Sequence, residues 1–557
     1  MSKPRYAPLR RPCRAVTLAI GITTALCSGA MAQTPASTGS EAHPADPPVA
    51  RPTLKPRWWR DAVFYEIFVR SFADSDGDGI GDFKGLTAKL DYLNDGDPTT
   101  DTDLGITGIW LMPIHPSPSY HGYDVTDYTG VNPQYGTLAD FDAFIAAANA
   151  RGIKVIIDFV MNHSGRDHPW FTSARKGPES KHRDWYTWRA DDPGWTQPWG
   201  SGPVWHRAGK DYYYGLFWGG MPDLNLANPE VEAEMIRSMR FWLDRGVAGF
   251  RVDAARHFFE SADGKLSDQP ASHDLVKRVR KALEESHPGV MLIGEIWTDV
   301  ETVATYAGDD DEFHMAFGFT TAGSLRESAN DGLKASFNQV QPRLKKAYAD
   351  RNFEAPFLAN HDMKRVMRTL REDPGAMRVA SAALFAQAGS PFIYYGEELG
   401  MLGGPSGQDE DKRTPMPWTI GGDHRGFTTG TPWRSRPEKP GVDVESQRGK
   451  AGSLWTLFRD LIRVRASHKA LSDGEVAPVR ITGKHRGLTG LIRTHGDEKV
   501  LFLVNFHGEK TTPFTVKISE EAEVIFAEGL MGQPTQAKGE LSFAGLKGRG
   551  FAFVKLR

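Results

Sequence analysis

Cysteine is almost absent from this sequence. Its only two cysteines, Cys13 and Cys27, lie within an N-terminal segment that has the pattern of an export signal. The expected mature protein therefore offers no disulfide, no thiol nucleophile and no cysteine metal ligand. An excess of basic residues is also lacking, since 67 Lys and Arg stand against 70 Asp and Glu in the 557 residues. This balance argues against a nucleic-acid partner, which needs basic side chains to neutralise phosphates.

Apolar runs long enough to span a membrane are also missing. The apolar run 15–26 is short; five basic residues precede it, and the cleavage-type sequence Ala30-Met31-Ala32 follows it. This pattern predicts a signal peptide over residues 1–32. Residues 33–56 are rich in Pro, Ala, Ser and Thr, which predicts a flexible linker. We expect an exported protein, periplasmic or secreted, with no membrane attachment once the signal is removed.

Short apolar runs alternate with amphipathic stretches through most of the chain, which predicts parallel β/α units. The number of strand candidates favours an α/β fold of the eight-stranded (β/α)8 TIM-barrel type, although the pattern alone also allows an open doubly wound sheet. The strand candidates are 62–69, 106–112, 153–158, 247–253, 290–295, 355–360 and 391–395, with a weaker one at 313–317.

Two segments depart from this alternation. Residues 164–222 are rich in Trp, Tyr, Gly and Pro and lack a helical period, so they predict a small domain inserted after the third strand. Residues 475–557 contain short alternating strands, which predict a C-terminal antiparallel β-sandwich domain. The barrel is accordingly expected in two parts, 57–163 and 223–474.

Polar residues recur where the predicted barrel strands end, which is the face on which such barrels build active sites. Arg251 and Asp253 end the fourth strand, Glu295 ends the fifth, and His361 and Asp362 end the seventh. Taken alone, Arg251 and Asp253 also suit a buried structural ion pair. Three carboxylates on one rim are harder to explain in that way.

Glycoside cleavage with retention matches this set of acids, because it uses a carboxylate nucleophile and a second carboxylic acid about 5 Å away. Arg251 points to the same face as Asp253, so it should keep the carboxylate ionised and its pKa low. The apolar neighbours of Glu295 should raise its pKa, as an acid catalyst requires. Metal-assisted hydrolysis is the alternative, but no H-x-H or H-E-x-x-H pattern supports it.

An acidic loop near the start of the barrel predicts a calcium site. In the loop 74–82, Asp occupies the first, third and fifth positions and Gly the sixth, as at the start of an EF-hand loop. The twelfth position is Gly85 rather than Glu, so the loop is not an EF-hand, and an acidic solvated turn is the alternative.

The motifs, taken in order, resemble the α-amylase family of glycoside hydrolases. They are Gly122-Tyr123-Asp124, Asp158-x-x-x-Asn162-His163, Met221-Pro222-Asp223-Leu224-Asn225, Gly249-Phe250-Arg251-Val252-Asp253, Gly294-Glu295, Asn360-His361-Asp362 and the segment from Gly389 to Glu398. The segment beginning at Met221 is similar to one shared by neopullulanases and an intermediate group, and the chain most resembles an α-amylase of that group.

The resemblance implies a role for each matching residue. Asp253 would be the nucleophile, Glu295 the acid/base, and Asp362 the carboxylate that stabilises the transition state. The implied substrate-binding residues are Tyr123, His163, Arg251, His257 and His361. The implied Ca²⁺ ligands are the side chains of Asp74, Asp76, Asp78 and Asp82 and the carbonyl of Ile80.

The expected function is endo-acting hydrolysis of α-1,4-glucans such as starch or maltodextrins, with no obligate protein partner implied. Tyr120 favours this reading, because exo-acting α-glucosidases of the family tend to carry Asp at that position. The alternative is an enzyme of the neopullulanase, cyclomaltodextrinase or α-glucosidase/transglycosylase type, acting on short or α-1,6-linked oligosaccharides.

Overall fold

The computed structural model describes residues 54–349, 352–422, 424–435 and 438–557. The predicted signal peptide (1–32) and nearly all of the predicted linker (33–56) lie outside these ranges. Within them, no helix is long and apolar enough to cross a membrane.

The strands of the described residues form a barrel, a small inserted sheet and two C-terminal sheets. In chain order they are β1 (Phe64–Ile67), β2 (Gly108–Leu111), β3 (Lys154–Phe159), β4 (Trp188–Arg189), β5 (Trp205–Ala208), β6 (Asp211–Tyr214), β7 (Gly249–Val252), β8 (Met291–Gly294), β9 (Met315–Phe317), β10 (Glu354–Ala355), β11 (Phe392–Tyr394), β12 (Glu475–Pro478), β13 (Leu488–His495), β14 (Glu498–Asn505), β15 (Phe514–Val516), β16 (Ala522–Leu530), β17 (Thr535–Ala537), β18 (Glu540–Phe543) and β19 (Leu546–Leu556).

The helices lie between the barrel strands and at the junction with the C-terminal sheets. They are α1 (Val69–Phe72), α2 (Phe83–Ala88), α3 (Leu90–Leu93), α4 (Leu138–Ala150), α5 (Pro169–Ala174), α6 (Pro229–Asp244), α7 (Pro270–Ser286), α8 (Val300–Thr305), α9 (Phe319–Asp331), α10 (Ala335–Tyr348), α11 (Val366–Thr369), α12 (Pro374–Phe385), α13 (Asp409–Lys412), α14 (Val444–Gln447), α15 (Leu454–Ser467) and α16 (Lys469–Asp473). Short 3-10 helices occupy Trp58–Asp61, Arg183–Trp185, Ala255–His257 and Glu397–Leu399.

Eight parallel strands form the predicted barrel. Their order is β10-β9-β8-β7-β3-β2-β1-β11. A parallel bridge between Phe357 and Phe392 joins the two ends of this order, and the Phe392 amide donates to the Pro356 carbonyl at 2.9 Å. The (β/α)8 prediction is therefore confirmed, and the weak eighth candidate is β9.

Alternation along the strands puts polar side chains into the barrel above an apolar layer. Phe64, Ile156 and Ile293 are completely buried and belong to one apolar cluster in the barrel. Side chains two residues further along each strand point to the same side. This places Glu66, Asp158 and Glu295 together at the carboxyl ends of their strands. The pairing of Asp158 with Arg251 between β3 and β7 adds a cation to the same layer.

A separate three-stranded antiparallel sheet, in the order β4-β6-β5, lies within the predicted insertion 164–222. Two bridges tie its ends to the barrel segment, one between His163 and Asp223 and one between Tyr186 and Leu224. The insertion therefore begins and ends beside the third barrel strand, which brings its aromatic residues to the rim.

Antiparallel sheets make up the C-terminal region, as predicted. Five strands pair in the order β12-β13-β14-β19-β16, and three pair in the order β15-β18-β17. Buried side chains from both sheets, including Leu503 and Phe543, share one apolar cluster. The strands predicted from the sequence in this region, 476–482, 491–494, 499–506, 512–518 and 550–556, left out β16, β17 and β18. The pairing of β16 with β19 contains register shifts, and most of the residues of β16 are only partly buried.

Candidate active site

A cavity of about 760 Å³ opens at the carboxyl ends of the barrel strands and is lined on one side by Trp199, Phe217 and Trp218 of the inserted segment. Six of the predicted site residues line it, namely Tyr123, His163, Asp253, His257, Glu295 and Asp362. The other two, Arg251 and His361, are buried behind this lining and contact it through hydrogen bonds and ion pairs. The structure thus brings all eight of the predicted catalytic and substrate-binding residues together at one site.

Arg251 connects three carboxylates. Its Nη1 lies 2.8 Å from Asp158 and 2.6 Å from Asp253, and its Nη2 lies 2.9 Å from Glu295. The guanidinium is only 1% exposed, so these charges interact with little screening by water. Because Asp253 and Glu295 bond to one guanidinium, they are held close together with fixed orientations.

The turn after β7 provides a second contact, besides Arg251, that orients the Glu295 carboxylate. Ala254 adopts a left-handed backbone conformation with φ of 49°, which is uncommon for a residue with a side chain. Its amide donates to Glu295 Oε2 at 3.0 Å. The unusual turn therefore places a backbone donor on the carboxylate that the resemblance assigns as acid/base, immediately beside the proposed nucleophile.

Burial changes the protonation of this cluster. It raises the pKa of Asp253 and of Glu295, while Arg251 opposes both shifts. It also raises the pKa of Asp158 to about 7, again against Arg251. The predicted rise for Glu295 agrees with this direction. The predicted low pKa for Asp253 is wrong, because Arg251 is shared among three acids and cannot offset the desolvation of each one.

His361 lies between two carboxylates. Its Nδ1 is 2.5 Å from Glu66 and its Nε2 is 3.1 Å from Asp362. Burial works against the charged ring, but these acids outweigh it and raise the pKa of His361 to about 9. The same pairing has the reverse effect on Asp362. Burial raises the pKa of Asp362, but the charges of His361 and Arg413 outweigh burial and hold this pKa well below its usual range.

Two further histidines line the cavity in neutral form. Burial lowers the pKa of His163 to about 4, and its buried Nε2 has no hydrogen-bond partner among the described residues. Burial likewise lowers the pKa of His257, whose Nδ1 lies 2.7 Å from the carbonyl oxygen of Leu266. An unpaired ring nitrogen at a cavity wall suits a hydrogen bond with a ligand hydroxyl.

Aromatic rings surround the open side of the cavity. Trp199 and Trp218 come from the inserted segment, and Trp297 follows Glu295; each is about half exposed. Trp297 stacks on Phe319 with ring centroids 4.5 Å apart. Exposed flat rings beside hydroxyl-binding groups suit the apolar faces of sugars.

Sequence reasoning named Asp158 only within a motif and left out Glu66 and Arg413. Arg413 donates to Asp362 Oδ1 at 3.0 Å and to the Tyr120 hydroxyl at 3.3 Å. A signal for Glu66 existed, since it is the one charged residue inside the apolar strand β1. Arg413 follows a short helix in an irregular segment, so nothing in its local pattern indicated the site.

The predicted calcium ligands lie apart from the cavity. Carboxylate oxygens of Asp74, Asp76 and Asp78 come within 4.8 Å of one another. Burial raises the pKa of Asp78, and repulsion from its acidic neighbours adds to the rise. Asp82 caps α2 by accepting from the Gly85 amide at 2.8 Å, and the Ile80 amide donates to Asp78 at 2.7 Å. A converging set of carboxylate oxygens fits a hard cation such as Ca²⁺.

These features define a class of protein. Paired carboxylates above a (β/α)8 barrel core, a third carboxylate held by cations and a ring of exposed aromatics suit an enzyme that cleaves or transfers glycosidic bonds.

Comparisons with known proteins specify the family. The family profile "Alpha amylase, catalytic domain" matches residues 66–474. "Alpha-amylase 3" of Dictyoglomus thermophilum is 35% identical, over 83% of this chain and 88% of that protein. "Trehalose synthase" of Pimelobacter sp. is 31% identical, over 90% of this chain and 96% of that protein. The crystal structure of the α-amylase from H. orenii matches with a TM-score of 0.80 at 37% identity, covering 89% of this chain and 99% of that one. The chain belongs to the α-amylase family of glycoside hydrolases and transglycosylases.

Proposed function

We propose that this protein is an exported, calcium-binding α-amylase that hydrolyses internal α-1,4-glucosidic bonds of starch or maltodextrins with retention. The observation that carries the proposal is the placement of Asp253 and Glu295 on the two nitrogens of Arg251, in the wall of an open cavity. Sharing one guanidinium favours the short separation of retaining enzymes, about 5–5.5 Å, over the wider gap that an inverting enzyme leaves for water.

In the proposed reaction, Asp253 attacks the anomeric carbon while Glu295 protonates the departing glycosidic oxygen. Water then hydrolyses the glycosyl-enzyme, with Glu295 taking the proton from that water. The raised pKa of Glu295, caused mainly by burial, supports its protonated form in the first step. Arg251 keeps a positive charge beside Asp253, which stabilises the carboxylate that leaves when the intermediate breaks down.

Asp362 is proposed to stabilise the positive charge that develops on the sugar ring. Its depressed pKa, held down by His361 and Arg413 against the effect of burial, supports a permanent negative charge there. Tyr123 would lie beneath the sugar, because its hydroxyl is 2.6 Å from His361 Nε2 and its ring stacks on that histidine. His163 and His257 would bind sugar hydroxyls from the cavity wall.

Calcium is proposed to hold the loop 74–82 through Asp74, Asp76, Asp78, Asp82 and the carbonyl of Ile80. The three converging carboxylates support a cation there, which would relieve their mutual repulsion. Because the loop lies outside the catalytic cavity, the expected role of Ca²⁺ is to stabilise the fold.

The retaining mechanism has a direct test. ¹H NMR of the first products from maltoheptaose should show the α-anomer before mutarotation, whereas an initial β-anomer would refute Asp253 as nucleophile.

Asp253→Asn should remove turnover and leave the thermal unfolding temperature and oligosaccharide binding almost unchanged. Asp244→Asn, on the outer helix α6, is the matched control and should keep normal turnover.

A second candidate is transfer or hydrolysis with short or α-1,6-linked oligosaccharides. The observation that favours it is a group of polar contacts that narrows the cavity beside Asp362. There Arg413 lies 3.3 Å from the Tyr120 hydroxyl and 3.7 Å from Asp409. The relative named trehalose synthase agrees with this alternative. Release of panose from pullulan, or formation of products longer than the substrate from maltotriose, would favour it over endo hydrolysis.

A further inference from the structure

A second cavity, which we name the basic cavity, lies on the other side of α13 from the catalytic one. It encloses about 270 Å³, and its lining includes Lys364, Arg365, Arg368, Lys412 and Asp411. Four of these five charged residues are cations. None of them was singled out by the sequence motifs, and the proposed glycoside chemistry uses none of them.

Arg365 provides a buried donor in this wall. The residue is 3% exposed, its Nε donates to the Lys412 carbonyl at 3.1 Å, and its Nη1 donates to the Tyr395 carbonyl. Its Nη2 is buried and has no hydrogen-bond acceptor among the described residues. The guanidinium also lies over the rings of Tyr394 and Tyr395, with its central carbon 4.3 and 4.5 Å from their centroids. Arg365 therefore contributes a fixed, buried positive charge to the wall, which attracts an anion in the cavity.

Lys364 and Arg368 supply further unused donors. Lys364 is exposed and takes part in no hydrogen bond or ion pair within the described ranges. Arg368 donates from Nε to the Leu402 carbonyl at 3.1 Å and from Nη2 to the Gly403 carbonyl at 2.9 Å. Those two bonds fix the plane of its guanidinium and leave Nη1 for another acceptor.

The nearby acids do not neutralise this set. Asp411 accepts from Arg434 and from the Ser406 hydroxyl, so it is bonded on its own side of the cavity. Glu438, behind the wall, accepts the amides of Leu402 and Gly403 at 3.0 and 2.8 Å. With Arg434 and the Asp409 partner of Lys412 counted, five cations stand against three carboxylates, and the cavity keeps a net positive charge.

We propose that the basic cavity is a binding site for a phosphate group, either free phosphate or the phosphate of an ester. Two guanidinium groups and an ammonium group around one space match a tetrahedral dianion, because planar arginine donors bind pairs of phosphate oxygens. Monovalent chloride would use fewer of these donors. The volume accommodates a phosphate with part of an attached sugar.

The site adjoins the catalytic cavity through α13. Lys412 lines the basic cavity, and its Nζ donates to the carbonyl of Asp362 at 2.9 Å and to Asp409 at 2.6 Å. Asp409 lines the catalytic cavity. A phosphate that attracts Lys412 therefore competes with its bonds to these two residues, so binding is expected to change kcat with starch.

The test is a calorimetric titration of the full-length mature enzyme with inorganic phosphate at constant ionic strength. Saturable binding is expected, and Lys364→Gln and Arg368→Gln should each weaken it about tenfold or more, since each loses a charge-assisted hydrogen bond. Lys176→Gln removes an equal charge from an exposed position elsewhere and should bind as the wild type does. Circular dichroism and thermal unfolding without phosphate establish that each variant is folded.

Glucose 6-phosphate is titrated in parallel to separate the two sources. Tighter binding of glucose 6-phosphate than of phosphate identifies an ester as the ligand, and the reverse order identifies free phosphate. Absence of saturable binding of both would overturn the proposal. Equal affinities for Lys364→Gln, Arg368→Gln and Lys176→Gln would overturn it too, since phosphate would then bind elsewhere.

Discussion

Arg251 is the residue whose removal tests the account of the site most severely. Arg251→Gln retains a polar side chain but takes away the charge shared by Asp158, Asp253 and Glu295, at distances of 2.6–2.9 Å. Asp158 is completely buried, so in the variant no water replaces the cation as a partner of its carboxylate. Breaking a buried ion pair by removing one partner costs about 3–5 kcal/mol of folding free energy. In a folded chain of about 500 residues that loss corresponds to roughly 3–5 °C in unfolding temperature.

A second change separates the charge effect from lost packing. Asp158→Asn in the Arg251→Gln background removes the buried carboxyl group that has lost its cation, and we expect it to restore roughly 1–3 kcal/mol. Arg256→Gln is the matched control. Arg256 pairs with Asp268 on the same rim, but its side chain is 19% exposed, so the cost should stay at about 1 kcal/mol or less.

Differential scanning calorimetry at pH 7 measures these shifts, and hydrolysis of a chromogenic maltooligosaccharide gives the catalytic effect. Without Arg251 the pKa of Asp253 should rise further, so the acid limb of the pH–activity profile should lie at higher pH for the variant than for the wild type. A destabilisation equal to that of Arg256→Gln, or no recovery in the double variant, would mean that the three buried acids do not depend on this guanidinium.

Three further predictions concern other parts of the molecule. Ca²⁺ at about 100 times its Kd should add about 2.7 kcal/mol to the unfolding free energy of chelated enzyme, and clearly less to Asp78→Asn; equal unfolding temperatures with Ca²⁺ and chelator would contradict the calcium site. Trp297→Ala should raise KM for maltoheptaose about tenfold with little change in kcat, because a stacking surface is lost; an unchanged KM would exclude that surface from binding. The pKa of His361 is raised to about 9 from an unfolded value of about 6.5, so its stabilisation is complete below pH 6.5 and is lost as pH rises through 9. His361→Asn should therefore flatten the decline of unfolding temperature between pH 7 and 10, and an unaltered decline would argue against this charge.

Local pattern in the sequence was sufficient for the barrel, because buried parallel strands are continuous apolar runs that end in polar residues. The strands and the positions of Asp253 and Glu295 at their ends follow directly from that pattern. The irregular edge strand β16 could not be found in this way, since its partly exposed residues lack clean alternation and its register shifts.

The pKa values of the site residues depend on contacts between distant parts of the chain, which sequence spacing does not predict. Arg251 lies two residues from Asp253, which predicted a dedicated pair, but the fold also brings Asp158 and Glu295 to the same guanidinium. Arg413 forms an ion pair with Asp362, although it lies 51 residues further along the chain and outside any strand. Such sharing decides pKa values, and only the three-dimensional arrangement reveals it.

The time course of products from soluble starch distinguishes attack on internal bonds from attack at chain ends. Endo attack by the Asp253–Glu295 pair in an open cavity predicts rapid loss of the iodine colour while few reducing ends have formed, with maltooligosaccharides of mixed length as early products. Release of glucose alone from the first minutes, with the iodine colour preserved, would contradict the claim and identify a pocket that accepts only chain ends.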